Sequence, residues 1–171
     1  NIKGKVLPVT FGNTRLVATY ENGQKVVGEN LIDEPEGEHG HFRIKKIALE
    51  PSVKANSEAV RAILAADLVV IGPGDLYTSI IPNLLVRGIP EALQKTKARV
   101  VYIMNLMTKF GQTNNFTASD HVKALKAHLK KNTLDYVAVN AKYVPGKVVF
   151  EYKNEKAFPV IDDLQRKSFV V

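Results

Sequence analysis

Hydrophobic positions along the chain change rhythm near residue 50. Before it, β-branched runs over Val6 to Val9, Thr14 to Tyr20 and Gln24 to Val27 are punctuated by Gly12-Asn13 and Asn22-Gly23. Asn22-Gly23 between two such runs predicts a hairpin, because both residues tolerate positive φ. The polar stretch Asp33 to His41 reads as an exposed loop. Phe42 to Leu49 alternates apolar and basic positions, which predicts a strand with an irregularity at Lys45-Lys46. After Pro51 the texture becomes α/β. Ser57 to Ala66 has helical spacing, with Asn56 or Ser57 as N-cap. Leu68 to Ile71 is a continuous apolar run, expected for a strand buried on both faces of a parallel sheet. Helical stretches over Ser79 to Val86 and Ile89 to Lys95 flank Gly88. Val100 to Met104 reads as a second buried strand, Ser119 to Lys131 as a helix with Val122, Leu125 and Leu129 inward, and Leu134 to Val139 as a third strand. This alternation predicts an α/β domain with a parallel sheet and right-handed crossovers. Lys147 to Tyr152 alternates like a strand, yet Pro145-Gly146 equally suits a helix start. The expected organisation is one domain over residues 1–171: a β-rich portion (1–50), a parallel α/β portion (51–143) and a tail (144–171) left unassigned.

Composition narrows the class. Hydrophobic residues make up 45% and charged residues 24% of 171 positions, which excludes a disordered chain, a collagen-like fibre and a coiled coil. No apolar run approaches the roughly 18 residues of a membrane helix, and no basic-then-apolar leader opens the chain, so neither secretion nor membrane insertion is expected. The absence of Cys removes disulfides, zinc–thiolate sites and thiol nucleophiles, and points to the cytoplasm. Twenty-four Lys and Arg against 17 Asp and Glu give +7. Lys123, Lys126, Lys130 and Lys131 crowd one helix, either to attract a polyanion or as a solvated face favoured by the helix dipole. No basic stretch is interleaved with aromatics, so no nucleic-acid partner is expected. The chain begins at Asn1 inside a strand-like run and reads as part of something longer.

Ligands of open α/β sheets collect outside the carboxyl ends of the strands. Gly72-Pro73-Gly74-Asp75-Leu76-Tyr77-Thr78-Ser79 follows one such end. Pro82 belongs in a first helical turn, which points to Ser79 as N-cap. Glycines before a helix let backbone N–H groups approach an anion, with Thr78 and Ser79 adding hydroxyls; the other reading is a tight turn without ligand. The run is neither a P-loop nor a dinucleotide fingerprint. Asp75 disfavours a bare phosphate and suits sugar hydroxyls or a metal-bound water. The second loop, Asn105 to Ser119, offers Asn105, Thr108, Lys109 and Gln112 to a base, sugar or phosphate, or is a solvated surface loop. Asp120-His121 opens the next helix, as start chemistry or as an acid–base pair. His39 and His41 lack the further ligands of a closed metal site, and His128 reads as a surface residue.

Together the two loops resemble the gluconeogenesis factor family. The resemblance rests on Ala66 to Val86, including Gly72-Pro73-Gly74-Asp75-Leu76-Tyr77-Thr78-Ser79, and on Asn105-Leu106-Met107-Thr108-Lys109-Phe110-Gly111-Gln112-Thr113 followed by Ser119-Asp120-His121-Val122. Gly4 to Thr10 and Val27-Gly28-Glu29 fit the same family. It shares a superfamily with the 2-phospho-L-lactate transferases, which implies a Rossmann-like, three-layer α/β domain, here with a β-hairpin-rich N-terminal portion. The resemblance implies a cytoplasmic protein that binds a nucleotide sugar of the uridine diphosphate type and supports cell shape and wall synthesis during gluconeogenic growth. No firm catalytic activity comes with it. The alternative it implies is a phospholactyl-type transferase using a nucleotide diphosphate donor and magnesium. By motif position Gly72, Gly74, Asp75, Leu76, Tyr77, Thr78 and Ser79 would line the ligand, with Asn105, Thr108 and Gln112 in the same cleft and His121 and Asp120 as catalytic candidates. Asp75 stands where the family usually has Ser, and Gln112 stands where it commonly has Glu, which removes a charge that could have held magnesium. No resident metal is assigned, and a homo-oligomer is left open.

Overall fold

In the computed structural model, which describes residues 3–165, the chain forms two small sheets. Strands β1 (Arg15–Tyr20), β2 (Lys25–Val27) and β3 (Ile44–Glu50) are antiparallel in the order β2-β1-β3. The hairpin forms at Asn22-Gly23. Gly23 has φ +86°, its N–H donates to the Tyr20 carbonyl at 2.9 Å, and Asn22 Oδ1 accepts from the Gln24 N–H at 3.0 Å. The irregularity in β3 is a bulge: the register steps from Thr19↔Lys46 to Tyr20↔Ile44, leaving Lys45 as the extra residue. Val6 to Val9 does not form a strand. It lies without a ladder, Val6 89% exposed, and is tied through Asn56, whose Nδ2 donates to the Pro8 carbonyl and whose N–H donates to that of Val9.

The expected exposed loop is partly ordered and partly buried. Helix α1 (Glu29–Asp33) ends at the first residue of that loop, and a 3₁₀ turn (Glu38–His41) lies within it. Ile32 is fully buried beneath α1, and His39 is buried with its ring edge-on to Tyr20 at 5.1 Å. Leu16, Ala18, Tyr20, Ile32 and Ile47 form one core with Leu76, Tyr77 and Ile81.

The second unit runs α2 (Ser57–Ala65), β4 (Leu68–Ile71), a π-helical turn (Leu76–Ile80) continuing into α3 (Ile81–Leu84), α4 (Ile89–Lys95), β5 (Arg99–Ile103), α5 (Ala118–Lys126), β6 (Tyr136–Ala138) and α6 (Gly146–Lys153). Strands β4-β5-β6 are parallel in that order. Asn56 caps α2, its Oδ1 accepting from the Glu58 N–H at 3.0 Å. Helix α5 starts from Thr117 rather than Ser119. Thr117 and Asp120 exchange side-chain-to-backbone bonds in a capping box, which frees Ser119 to bond Asp163. The tail is helical over α6, which buries no residue. Ile71, Val100 and Tyr102 pack with Leu84, Ile89, Leu93 and Leu125 in the other core. Strand β4 is buried on one face only: Leu68 and Val70 are 55% and 48% exposed. No helix among the described residues is long and apolar enough to cross a membrane.

Adjacent positions in α1 separate packing from propensity. Truncating Ile32 to Ala leaves a cavity in a closed core and should cost about 2–5 kcal/mol. Leu31→Ala, at a half-exposed position, should stay within about 0.5 kcal/mol. Urea unfolding midpoints at unchanged slope would measure both; equal effects would mean that α1 does not seal the antiparallel sheet.

Candidate functional site

The long segment between β5 and α5 does not wave in solvent. The chain after α6 returns along it: the Thr108 N–H donates to the Phe158 carbonyl at 2.7 Å, the Phe158 N–H to Thr108 Oγ1 at 3.0 Å, and the Val160 N–H to the Leu106 carbonyl at 3.0 Å. The Ala118 N–H donates to the Ile161 carbonyl, and Asp163 accepts from both the Ser119 N–H and hydroxyl. From the other side Pro35 wedges against Gly40 and Gly111. A Cβ at Gly111, where φ is +82°, would collide with the Pro35 ring. Thus the segments 33–41 and 105–119 are held together.

Between them, at the carboxyl ends of β4 and β5, lies a cavity of about 850 Å³. Pro73 and Asp75 form one wall, Asn105 to Phe110 the floor, Asn30, Leu31 and Asp33 to Glu36 the second wall, and Tyr152, Glu155 and Ala157 the rim. Its lining carries five carboxylates (Asp33, Glu34, Glu36, Asp75 and Glu155) against one lysine, Lys109, in a chain whose net charge is +7. The cavity is therefore an acidic recess in a basic molecule.

Behind that wall sits a polar joint centred on Gln112, 1% exposed. Its Oε1 accepts from the Tyr77 N–H at 3.1 Å, and its Nε2 donates to Asp33 Oδ1 at 2.8 Å and to Thr78 Oγ1 at 3.1 Å. Thr78 Oγ1 in turn donates to Asp33 Oδ1 at 3.0 Å. Lys109 Nζ lies 3.2 Å from Asp33 Oδ2 and 3.5 Å from Asp75 Oδ2. Burial pushes the Asp33 carboxyl up, but hydrogen bonds from Thr78 and Lys109 more than offset this and hold it below its ordinary 3.8. Asp75 is raised, first by burial, with Asp33 adding to it against the opposing pull of Lys109. Lys109 loses by burial yet is raised overall by its two carboxylates.

The residues singled out from the sequence separate into three groups. Asp75, Asn105 and Thr108 line the cavity. Gly72, Gly74, Leu76, Tyr77, Thr78 and Gln112 lie outside the lining, with Thr78 and Gln112 bonded to its Asp33. Leu76, Tyr77 and Thr78 are buried, and at Gly72 (φ +80°) a Cβ would lie 2.9 Å from the Ile103 carbonyl oxygen. The helical segment starts from Asp75, not Ser79: the Asp75 carbonyl accepts from the N–H groups of Ser79 and Ile80. Ser79 is exposed and outside the lining. Because Gln112 already takes the Tyr77 N–H, this helix start is partly satisfied from within the protein.

His121 and Asp120 form the third group and lie outside the lining. His121 is 1% exposed, its Nδ1 donates to the Thr117 carbonyl at 2.9 Å, and its ring stands edge-on to Phe116 at 5.4 Å. Burial lowers its pKa, against the opposing effects of Thr117 and Asp120. Asp120 caps α5 and faces Arg43 at 3.6 Å. His128 is half-buried rather than superficial, which lowers its pKa. His39 and His41 turn to different rings, Tyr20 and Phe110. Among the described residues no three His, Asp or Glu converge as metal ligands. Asp33 was not found from sequence: it lies 42 positions before Asp75 in a stretch with no motif, and only the fold brings the two to one lysine.

Comparison with known proteins gives a consistent result. Residues 1–170 match the family model described as 2-phospho-L-lactate transferase CofD. The gluconeogenesis factor of Bacillus subtilis is 43% identical over 166 residues, covering 96% of this chain and 51% of the relative. That of Halalkalibacterium halodurans is 43% identical over 164 residues, covering 95% and 49%. A crystal structure of a Bacillus halodurans protein superposes with a TM-score of 0.88 at 42% identity, over 95% of this chain and 51% of that one. The chain therefore spans about half the length of these relatives.

Two measurements test the joint. Gln112→Glu points a carboxylate at Asp33 and should destabilise by about 1–3 kcal/mol. Adding Asp33→Asn should recover much of that loss, and a cycle with no coupling would sink the assignment. Asp33, with its folded pKa below the unfolded one, contributes stability that is present above about pH 4 and lost as pH falls through the folded value. The stability gap between the native chain and Asp33→Asn should accordingly close on acidification below pH 4; a gap that grows there would contradict it.

Proposed function

This chain belongs to the 2-phospho-L-lactate transferase CofD family, and we propose that its cavity receives the sugar end of a nucleotide sugar of the uridine diphosphate type. The observation that carries the reading is the surplus of acceptors. Asp75, Glu34, Glu36 and Glu155 line the recess, Lys109 is already held by two carboxylates, and Asn105 Oδ1 is buried without a hydrogen-bond partner. Sugar hydroxyls are donors that such a wall can satisfy, whereas a bare diphosphate meets repulsion there. The diphosphate and base then extend past the rim, away from the acidic walls. On this reading the protein is a cytoplasmic binding module that reports nucleotide-sugar supply to the machinery of cell shape and wall synthesis.

The second reading is a transferase of a phosphorus-linked group, favoured by the family description and by Asp33 and Asp75 flanking one cation. Magnesium takes one or two carboxylates together with substrate phosphates and keeps several waters. The donor set fits an ion brought in with the ligand's phosphates, with Asp33 and Asp75 as its protein contacts once Lys109 withdraws.

Calorimetric titration with UDP-N-acetylglucosamine, UDP and GDP, with and without magnesium, tests both readings. The sugar should tighten binding at least tenfold over UDP, and Asp75→Asn should remove most of that gain. Equal affinity for UDP and the sugar nucleotide would overturn the binding reading. A guanosine preference that requires magnesium would sink the binding reading and favour the transferase.

A further inference from the structure

Outside the acidic recess the fold gathers cations. Lys54 and Arg87 pair as an isolated parallel bridge: the Ala55 N–H donates to the Arg87 carbonyl at 2.9 Å, and the Arg87 N–H to that of Val53 at 3.1 Å. Residues paired in this way send their side chains to the same face, so Lys54 and Arg87 stand together. Arg61 joins them from α2, one turn beyond Ser57. With Ala55, Val60 and Gly88, these three cations line a groove of about 670 Å³. Among the described residues none of the three side chains forms a hydrogen bond or ion pair. Glu58, the carboxylate on which Arg61 acts, is already held by Lys5 at 2.9 Å.

One carboxylate, Glu91, lines the groove, and it is engaged at both oxygens. Its Oε1 lies 2.9 Å from Lys130 Nζ, and its Oε2 accepts from the Gly88 N–H at 3.0 Å. Lys130 in turn lines a second recess of about 260 Å³, with Lys126, Lys131, Leu129 and Leu134 and without a carboxylate. Gln94 Nε2 donates to the Lys131 carbonyl at 3.4 Å and ties that recess to α4. The Glu91–Lys130 pair thus stands between two recesses whose linings set six cations against one neutralised carboxylate. We propose that these recesses dock an acidic segment of a partner protein, extended along both. Its carboxylates meet the cations, and its aliphatic side chains lie on Ala55, Val60, Leu129 and Leu134. Charge complementarity sets the sign of the occupant, and the lining sets its polymer. Neither recess holds an aromatic ring or an exposed apolar side chain, so nucleic-acid bases find no stacking platform and a bilayer finds no anchor. Acidic and apolar groups at alternate positions are what an extended peptide supplies.

Fluorescence anisotropy on the full chain, with a short labelled peptide alternating Glu and Leu, tests the assignment. The peptide should bind at least about tenfold more tightly than its Gln–Leu counterpart and than poly-Glu, with affinity falling as salt rises. Arg61→Glu and Arg87→Glu change exposed side chains, so circular dichroism should stay native while each weakens binding by about tenfold. Lys97→Glu, exposed and outside both linings, should change it by less than about twofold at physiological salt. A peptide bound no better than poly-Glu, tighter binding of oligothymidine or of phosphatidylserine vesicles, or indifference to both groove variants would overturn the proposal. No nucleotide enters the measurement, so its outcome is independent of what the acidic cavity takes.

Discussion

A single buried amide ties the molecule together. Gln112 leaves the segment after β5, caps the helix start after β4 through Tyr77, and reaches Asp33 at the end of α1. Three pieces of chain far apart in sequence meet at one side chain, and each of its polar atoms is matched. Buried polar groups are costly unless paired, so such a joint specifies one arrangement of the two sheets rather than merely adding stability. A methylene-rich side chain of equal size would fill the volume but leave the Tyr77 N–H without its acceptor and Asp33 and Thr78 with one donor fewer.

The joint also decides the electrostatics of the recess. By occupying the N–H that an anion would use, and by holding Asp33 in place beside Lys109, it turns a glycine-rich strand-to-helix turn into a wall of acceptors. The surplus positive charge of the chain lies elsewhere. Lys123, Lys126 and Lys131 are exposed, and Lys130 pairs with Glu91 at 2.9 Å. Net charge is thus a poor guide to what this cavity attracts.

The α/β class was legible because Leu68 to Ile71 and Val100 to Met104 are uninterrupted apolar runs alternating with helical periods. The hairpin was legible because Asn-Gly demands positive φ, and the bulge because the apolar period slips at Lys45-Lys46. What stayed hidden was long-range. Val6 to Val9 has strand composition but no ladder partner among the described residues, and composition does not show neighbours. Ser79 looked like a cap because Pro82 follows it, yet the π turn begins at Leu76 with Asp75 at the cap position. The cavity floor was half legible: Asn105 and Thr108 carry polar atoms after a strand end, whereas Asp33 reaches Lys109 only by folding. His121 drew attention as a titratable group, and its buried ring stands edge-on to Phe116.

The return of residues 158–163 along the segment 105–119 carries a consequence for how the protein is made. Thr108, Leu106, Ala118 and Ser119 find their partners about fifty residues downstream, at Phe158, Val160, Ile161 and Asp163. A ribosome releases the chain from its N-terminus, so the floor of the recess waits, with unmatched backbone groups, until those residues emerge. The hairpin and β4–β5 pairing can form first; the floor of the recess gains its backbone partners only after residues 158–163 have been made.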